Sequence, residues 1–219
     1  MLLNEFIQCI RDDERRFQRA PGSVRLLAVT KQQSVAKIRE AYDLGQRAFG
    51  ENYVQEALEK IPQLPTDIEW HFIGHLQQNK AKLVAQHFDW VQSVDNIPLL
   101  AQLHRYRDIK PLNICLQVNI SGEAQKSGIK KEEVLAMAAA VQDYPHLCLR
   151  GLMAIGLDTD DIAALHEMYH ELHALYQMLS LRYSSVDTLS LGMSRDRSIA
   201  IEEGSTMLRI GSAIFGERV

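Results

Sequence analysis

The sequence contains little cysteine and no paired cysteine motif. Its 219 residues include only three cysteines, Cys9, Cys115 and Cys148, which are widely spaced and form no CxxC pair. A sparse, odd-numbered set argues against a disulfide framework and is typical of proteins from a reducing compartment. We therefore expect a cytoplasmic protein.

Long hydrophobic runs are also missing. The longest, Val134 to Val141, has eight residues, whereas a membrane-spanning helix needs about 20. The N-terminal segment MLLNEFIQCIRDDERRF is interrupted by charges too early for a signal peptide. These absences predict that the protein has no membrane partner.

Basic charge is scarce as well. The sequence has 24 Lys and Arg against 28 Asp and Glu, a net charge of −4. This balance argues against a nucleic-acid partner, which would show a basic surplus or stripe. GxGxxG and Walker A motifs are absent, and the segment GMSRD around Ser194 lacks the second glycine of a GxSxG motif.

One metalloprotease-like motif is present, because residues 166–170 read HExxH. At helical spacing His166, His170 and His173 fall away from the apolar stripe that contains Leu165 and Met168. A catalytic zinc needs a third protein ligand and a cleft, and no downstream residue has convincing spacing. We interpret the motif as the solvated flank of a helix and predict no metal site.

Short apolar runs alternate with helical patterns along the whole chain. Eight candidate strands begin near Leu26, Arg47, Glu69, Asp89, Asn113, Cys148, Val186 and Met207. Their spacing, about 26 residues, suits one strand, one helix and two turns. Runs such as LLAVT are apolar on both faces, as in a buried parallel sheet.

This pattern predicts one domain over residues 1–219. It would be an α/β protein, a single (β/α)8 TIM-type barrel with an extra N-terminal helix over residues 2–20. Further helices are predicted over 34–44, with Ser34 as N-cap and Gly45 after the end, and over 51–61 and 160–180. The alternative is an open doubly wound sheet.

Polar residues at the predicted strand exits are the candidate site. Lys31 follows LLAVT and shares a strand face with Leu27 and Val29. If that face lines the barrel, desolvation favours a neutral, nucleophilic amine that can form a Schiff base with an aldehyde. The alternative is a lysine whose amine reaches solvent.

Strands 7 and 8 carry the second part of the candidate site. Arg209 lies on the inward face of strand 8, where its guanidinium needs a hydrogen-bond acceptor. The acceptor of a buried arginine is most often a carboxylate, and the alternative is an atom of a bound ligand. Gly192-Met193-Ser194 and Gly211-Ser212 follow these two strands. Loops at these positions are the recurrent phosphate site of such barrels.

Eight segments together resemble the pyridoxal phosphate homeostasis proteins (the YggS or PROSC family), which are similar to the barrel domain of alanine racemase. They are AVTK (28–31), FGENYVQEA (49–57), WHFIGHLQQNK (70–80), QSVDN (92–96), VNISGEAQKSGI (118–129), RGLMAIG (150–156), LSLGMSRD (189–196) and EEGSTMLRIGSAIFGER (202–218). One departure is Gln32-Gln33-Ser34, where many relatives have a small polar residue and then proline.

The resemblance implies an alanine-racemase N-terminal-domain-like barrel that binds pyridoxal 5′-phosphate (PLP). The family's cofactor lysine falls on Lys31 and its asparagine near the ring on Asn52. Its phosphate-binding positions fall on Ser194, Gly211 and Ser212, next to Met193. The arginine that faces the pyridine nitrogen falls on Arg209.

The implied function is a PLP carrier rather than an enzyme. The protein would hold PLP as a Schiff base, take part in vitamin B6 homeostasis and supply PLP-dependent apoenzymes, and we expect a monomer. The alternative is a weak PLP-dependent amino-acid racemase. Racemases use a second domain, and only residues 213–219 follow Ser212, so we expect an open site. Delivery and regulation stay open as roles.

Overall fold

The fold is a closed barrel of eight parallel strands. The computed structural model describes residues 2–120, 127–157 and 159–216. Each strand pairs with the next one along the chain, and the last pairs with the first, with Leu27 opposite Arg209. The strands are β1 Arg25–Val29, β2 Ala48–Glu51, β3 Glu69–Phe72, β4 Trp90–Val94, β5 Leu112–Gln117, β6 Leu147–Met153, β7 Thr188–Ser190 and β8 Met207–Ile210. The predicted barrel is confirmed, and the open sheet is wrong.

Helices follow the strands and cover the outside of the barrel. They are α1 Leu3–Arg16, α2 Val35–Asp43, α3 Val54–Lys60, α4 Ala81–His87, α5 Ile97–Tyr106, α6 Val134–Val141, α7 Ile162–Arg182, α8 Arg197–Glu202 and α9 Ser212–Phe215, with 3-10 turns at Ile61–Gln63, Gln78–Lys80 and Lys131–Glu133. The extra N-terminal helix is α1. None of the described helices is long and apolar enough to cross a bilayer.

Local sequence signals set the ends of α2. The Ser34 side chain accepts a hydrogen bond from the Lys37 N–H at 3.4 Å, and Gly45 has a φ of +99° just after the helix. Both predicted boundary signals are confirmed. The helix predicted over 51–61 begins three residues later, because Glu51 is the last residue of β2.

The core has two layers, which the alternation of β1 separates. Leu26 and Ala28 belong to the layer between strands and helices, whereas Leu27 packs inside the barrel with Ala48 and Met207. Burial of each large aliphatic side chain stabilises the fold by about 1.5–3 kcal/mol. Truncation of Leu27 to alanine would cost about 2–5 kcal/mol. The face of β1 that carries Leu27 is therefore the one that lines the barrel interior.

Two quoted segments extend beyond what the structure describes. Residues 121–126, within VNISGEAQKSGI, and residues 217–219, at the end of the last quoted segment, lie outside the described residues, as do Met1 and Asp158.

Candidate functional site

A cavity of about 1000 Å³ opens at the carboxyl ends of the strands. The structure brings all seven sequence-predicted site residues to its wall: Lys31, Asn52, Met193, Ser194, Arg209, Gly211 and Ser212. They come from the ends of four strands, β1, β2, β7 and β8. This edge is where barrels of this type carry their chemistry.

Lys31 lies on the inward face of the chain, two residues after β1 ends. Val29 and Lys31 both line the cavity, and Leu27 on the same face packs inside the barrel. The side chain of Lys31 is partly buried. Lys31 is therefore part of the cavity wall, as the inward alternative requires.

Asn52 presents an unsatisfied polar atom. Its Oδ1 is buried and has no hydrogen-bond partner among the described residues, and the residue lines the cavity. Buried polar atoms are nearly always hydrogen-bonded, so an orphan of this kind needs an explanation. A ligand with a hydrogen-bond donor near Asn52 would supply one.

Arg209 is buried and held by neutral acceptors. Its Nη1 donates to the carbonyl of Ser190 at 2.7 Å and to the hydroxyl of Ser190 at 2.8 Å. Its Nη2 donates to the carbonyl of Ala154 at 2.6 Å. The sequence pattern favoured a carboxylate partner, and these contacts differ because the β6 and β7 strand ends supply oxygens instead. Burial lowers the pKa of Arg209.

A chain of hydrogen bonds continues from Ser190 into the barrel interior. The Ser190 hydroxyl donates to Oε1 of Gln92 at 2.6 Å, and Nε2 of Gln92 lies 2.9 Å from Nδ1 of His71. Nε2 of His71 lies 2.7 Å from Oε1 of Glu69, which also pairs with Arg25. Burial lowers the pKa of His71. Because the Glu69 carboxylate only accepts hydrogen bonds, Nε2 of His71 is the donor in their contact.

The sequence analysis did not select these interior residues. Gln92 and His71 lie on inward faces of β4 and β3 and are fully buried. The available signal was a polar residue inside an otherwise apolar strand. The alternation of side chains along a strand does not by itself show which polar residues meet across a barrel.

The loop after β7 is shaped by Gly192. This residue has a φ of +93°, and a Cβ there would lie 2.5 Å from Cβ of Ala200. Asp196 accepts a hydrogen bond from the Met193 N–H at 2.8 Å and another from the hydroxyl of Tyr169. Burial and the Asp196 carboxylate raise the pKa of Tyr169. The loop is therefore tied to α7.

An apolar wall completes the cavity, and sequence reasoning missed it. It comes mainly from β6, α7 and their connection. Its members are Ile73, Met153, Ile155, Leu157, Ile162, Leu165 and Ile199. Polar groups therefore lie among apolar surface, which is typical of small-molecule sites.

The HExxH histidines lie on α7, away from this cavity. Nδ1 of His166 and Nδ1 of His170 contact the two carboxylate oxygens of Glu203, at 2.8 and 3.2 Å. Within the described part of the chain, no group of three or more His, Cys, Asp and Glu residues could hold a metal ion. The structure thus offers another role for the motif, namely contact between α7 and the end of α8.

The barrel and its cavity define the class of protein. Residues 8–219 match the family described as alanine racemase, N-terminal domain, and the chain belongs to this family. A Pasteurella multocida relative named pyridoxal phosphate homeostasis protein is 48% identical, over 99% of this chain and 96% of that protein. Within the larger family, the chain therefore belongs to the pyridoxal phosphate homeostasis proteins.

Solved structures agree with this placement. PipY of Synechococcus elongatus with PLP bound has a TM-score of 0.79 and 33% identity, over 94% of this chain and all of that one. Alanine racemase of Corynebacterium glutamicum has a TM-score of 0.73 at 14% identity and covers 96% of this chain, which is 62% of the enzyme. The second likeness concerns the fold alone.

Proposed function

We propose that this protein binds PLP reversibly, as a Schiff base on Lys31, and serves PLP homeostasis and PLP supply to apoenzymes without strong catalytic activity. The observation that carries the proposal is the convergence of an inward lysine, an orphan amide oxygen and two Gly/Ser loops on one cavity. When bound, PLP supplies an aldehyde that condenses with a primary amine and a ring that can withdraw electrons.

The cavity residues fit the separate parts of PLP. The amine of Lys31 would hold the aldehyde carbon. Ser194 and Ser212 would donate hydroxyl hydrogen bonds to the phosphate, and the loops at Met193 and Gly211 would approach it with their backbone. Oδ1 of Asn52 would accept a hydrogen bond from a ring substituent, which accounts for its lack of a partner.

Arg209 would face the pyridine nitrogen and weaken catalysis. Its guanidinium only donates hydrogen bonds, so it cannot accept and return a proton. A nearby positive charge also favours the unprotonated form of the nitrogen. The acceptors that hold Arg209 are neutral, so its contacts do not cancel that charge. An unprotonated ring withdraws electrons poorly, so stabilisation of a carbanion would be weakened.

The absorption spectrum of purified protein tests the proposal. We expect a visible band with PLP, its loss on borohydride reduction, and the pyridoxyl group on the peptide that contains Lys31. Lys31→Ala should lack the band and keep the fold by circular dichroism, whereas Lys82→Ala, an exposed lysine on α4, should keep both. A wild-type band in Lys31→Ala would refute the assignment.

The racemase alternative rests on the alanine-racemase fold. Racemisation of amino acids well above the rate with free PLP would support it and would contradict the carrier. The carrier predicts instead that PLP moves from the loaded protein into an apoenzyme and restores its activity.

The three free cysteines are consistent with the cytoplasm as the place of this exchange. A monomer would give a light-scattering mass near 24.9 kDa.

A further inference from the structure

Side chains of α3 hold the two peptide groups that flank Lys31. The Thr30 carbonyl, in the peptide group before Lys31, accepts a hydrogen bond from Nζ of Lys60 at 2.7 Å. The Gln32 N–H, in the peptide group after it, donates to Oε1 of Glu56 at 2.5 Å. Because peptide groups are planar, anchoring both of them leaves little freedom at the Cα of Lys31.

The anchoring groups form one ionic cluster of Glu51, Glu56 and Lys60, in which Glu51 and Lys60 are buried and Glu56 is partly buried. Nζ of Lys60 contacts Oε1 of Glu51 at 2.8 Å and Oε1 of Glu56 at 2.5 Å. The Thr30 hydroxyl also donates to Glu51, at 2.6 Å. Glu51 is fully buried and Lys60 is 6% exposed.

This cluster lies behind the barrel wall rather than in the cavity. Glu51 shares a strand face with Phe49, which packs between strands and helices, and none of the three ionic residues lines the cavity. The cluster contacts the peptide groups on either side of Lys31, and Glu51 directly precedes the cavity residue Asn52. Buried ion pairs seldom add much net stability, and their best-attested use is to specify one arrangement.

The backbone after Lys31 requires such support. Gln32 has a φ of +58°, a left-handed conformation that costs a residue with a side chain free energy. The charged acceptor on Glu56 stabilises the turn that the side chain of Gln32 disfavours.

We propose that Glu51, Glu56 and Lys60 are positioning residues that aim the Lys31 amine at the cavity and so set its rate of reaction with aldehydes. The identity of the aldehyde as PLP rests on the function proposed above. The rate depends on aim because an amine must approach a carbonyl carbon at short range and in the right direction.

Glu56→Ala is the main test, because Glu56 is only partly buried and its loss should leave the protein folded. Stopped-flow absorbance should show PLP capture slowed about tenfold, the size expected for one charge-assisted hydrogen bond. Glu56→Gln, which keeps an oxygen for the Gln32 N–H, should recover part of the rate. Glu59→Ala, an exposed change of the same charge on the same helix, should match wild type.

Labelling of the PLP-free protein separates this proposal from the previous one. Acetic anhydride modification of Lys31, followed by mass spectrometry over a range of pH, should be slower or have a shifted pH profile in Glu56→Ala but not in Glu59→Ala. Absence of PLP binding in wild type would overturn the proposed function and leave this readout intact. Wild-type capture rates and labelling profiles in a folded Glu56→Ala would overturn the positioning role.

Discussion

The hydroxyl of Ser190 accepts a hydrogen bond from Arg209 at 2.8 Å and donates one to Gln92 at 2.6 Å. It therefore joins the cavity arginine to a chain that continues through His71 to Glu69. Every donor in this chain points the same way, from the guanidinium towards the carboxylate. The direction in which Arg209 points is thus set partly from inside the barrel.

Ser190→Ala should weaken both the fold and the site. The variant removes one acceptor from Arg209 and the donor to Gln92 in a dry interior, so the free energy of unfolding should fall by about 1–3 kcal/mol. The PLP absorption band should also shift. Arg209 keeps its carbonyl partners but loses the hydroxyl, so its guanidinium would sit differently against the pyridine ring. Urea unfolding and PLP titration measure the two effects, with exposed Ser184→Ala as control. An unchanged spectrum would contradict the link between Ser190 and the ring.

Stability should fall as the pH is lowered below about 6.5, partly because of His71. Burial lowers the pKa of His71 in the folded protein, so the unfolded chain takes up its proton first. The free energy of unfolding then declines by up to about 1.4 kcal/mol per pH unit for this one proton. Burial raises the pKa of Glu69, but its contacts with His71 and Arg25 outweigh burial and lower that pKa. Protonation of Glu69 therefore reduces the free energy of unfolding further at lower pH.

His71→Asn isolates the histidine part of that slope. Asparagine can still accept a hydrogen bond from Gln92 but does not titrate, so the decline between pH 7 and 5 should be shallower. His87→Asn, at an exposed position on α4, should keep the wild-type slope. Urea unfolding at several pH values is the measurement, and equal slopes in wild type and His71→Asn would rule out this contribution.

Gly192→Ala should damage the loop after β7 through both strain and a collision. The position has a φ of +93°, and a Cβ would lie 2.5 Å from Cβ of Ala200. Gly45→Ala is the matched control, since its φ is +99° but nothing lies within 4 Å of the added carbon. Backbone strain costs about 1–3 kcal/mol, and we expect the loss in Gly192→Ala to exceed that in Gly45→Ala. Similar unfolding temperatures for the two variants would show that neighbouring atoms shift to make room for the added Cβ, which would contradict the prediction.

The double variant Ser194→Ala, Ser212→Ala should lose selectivity for the phosphate. If these hydroxyls bind it, affinity for PLP should fall about tenfold or more, while affinity for pyridoxal, which lacks the phosphate, should change little. Absorbance titrations with both aldehydes give the ratio, and Ser184→Ala should leave it unchanged. An equal fall in affinity for both aldehydes would show that the two serines do not bind the phosphate.

Much of the architecture, and the position of Lys31 at the end of β1, follows from local sequence. The spacing of apolar runs predicts the barrel, and the period-2 pattern of LLAVT places Lys31 on the face of Leu27, because alternate residues of a strand point to one side. Ser34 and Gly45 predict the ends of α2 through hydrogen bonding and backbone freedom. These signals are short-range, so no tertiary structure is needed to read them.

Long-range contacts are what the sequence could not supply. The segment ENYVQEALEKI shows Glu56 and Lys60 as an ordinary pair on a helix, and only folding brings them under the peptide groups of Lys31. Arg209 was expected to meet a carboxylate, yet closure of the barrel places the oxygens of Ser190 and Ala154 there. The sequence alone determined that Lys31, Arg209 and the two Gly/Ser loops lie at the strand ends. The tertiary structure decided which partners orient them, because those contacts join strands and helices far apart along the chain.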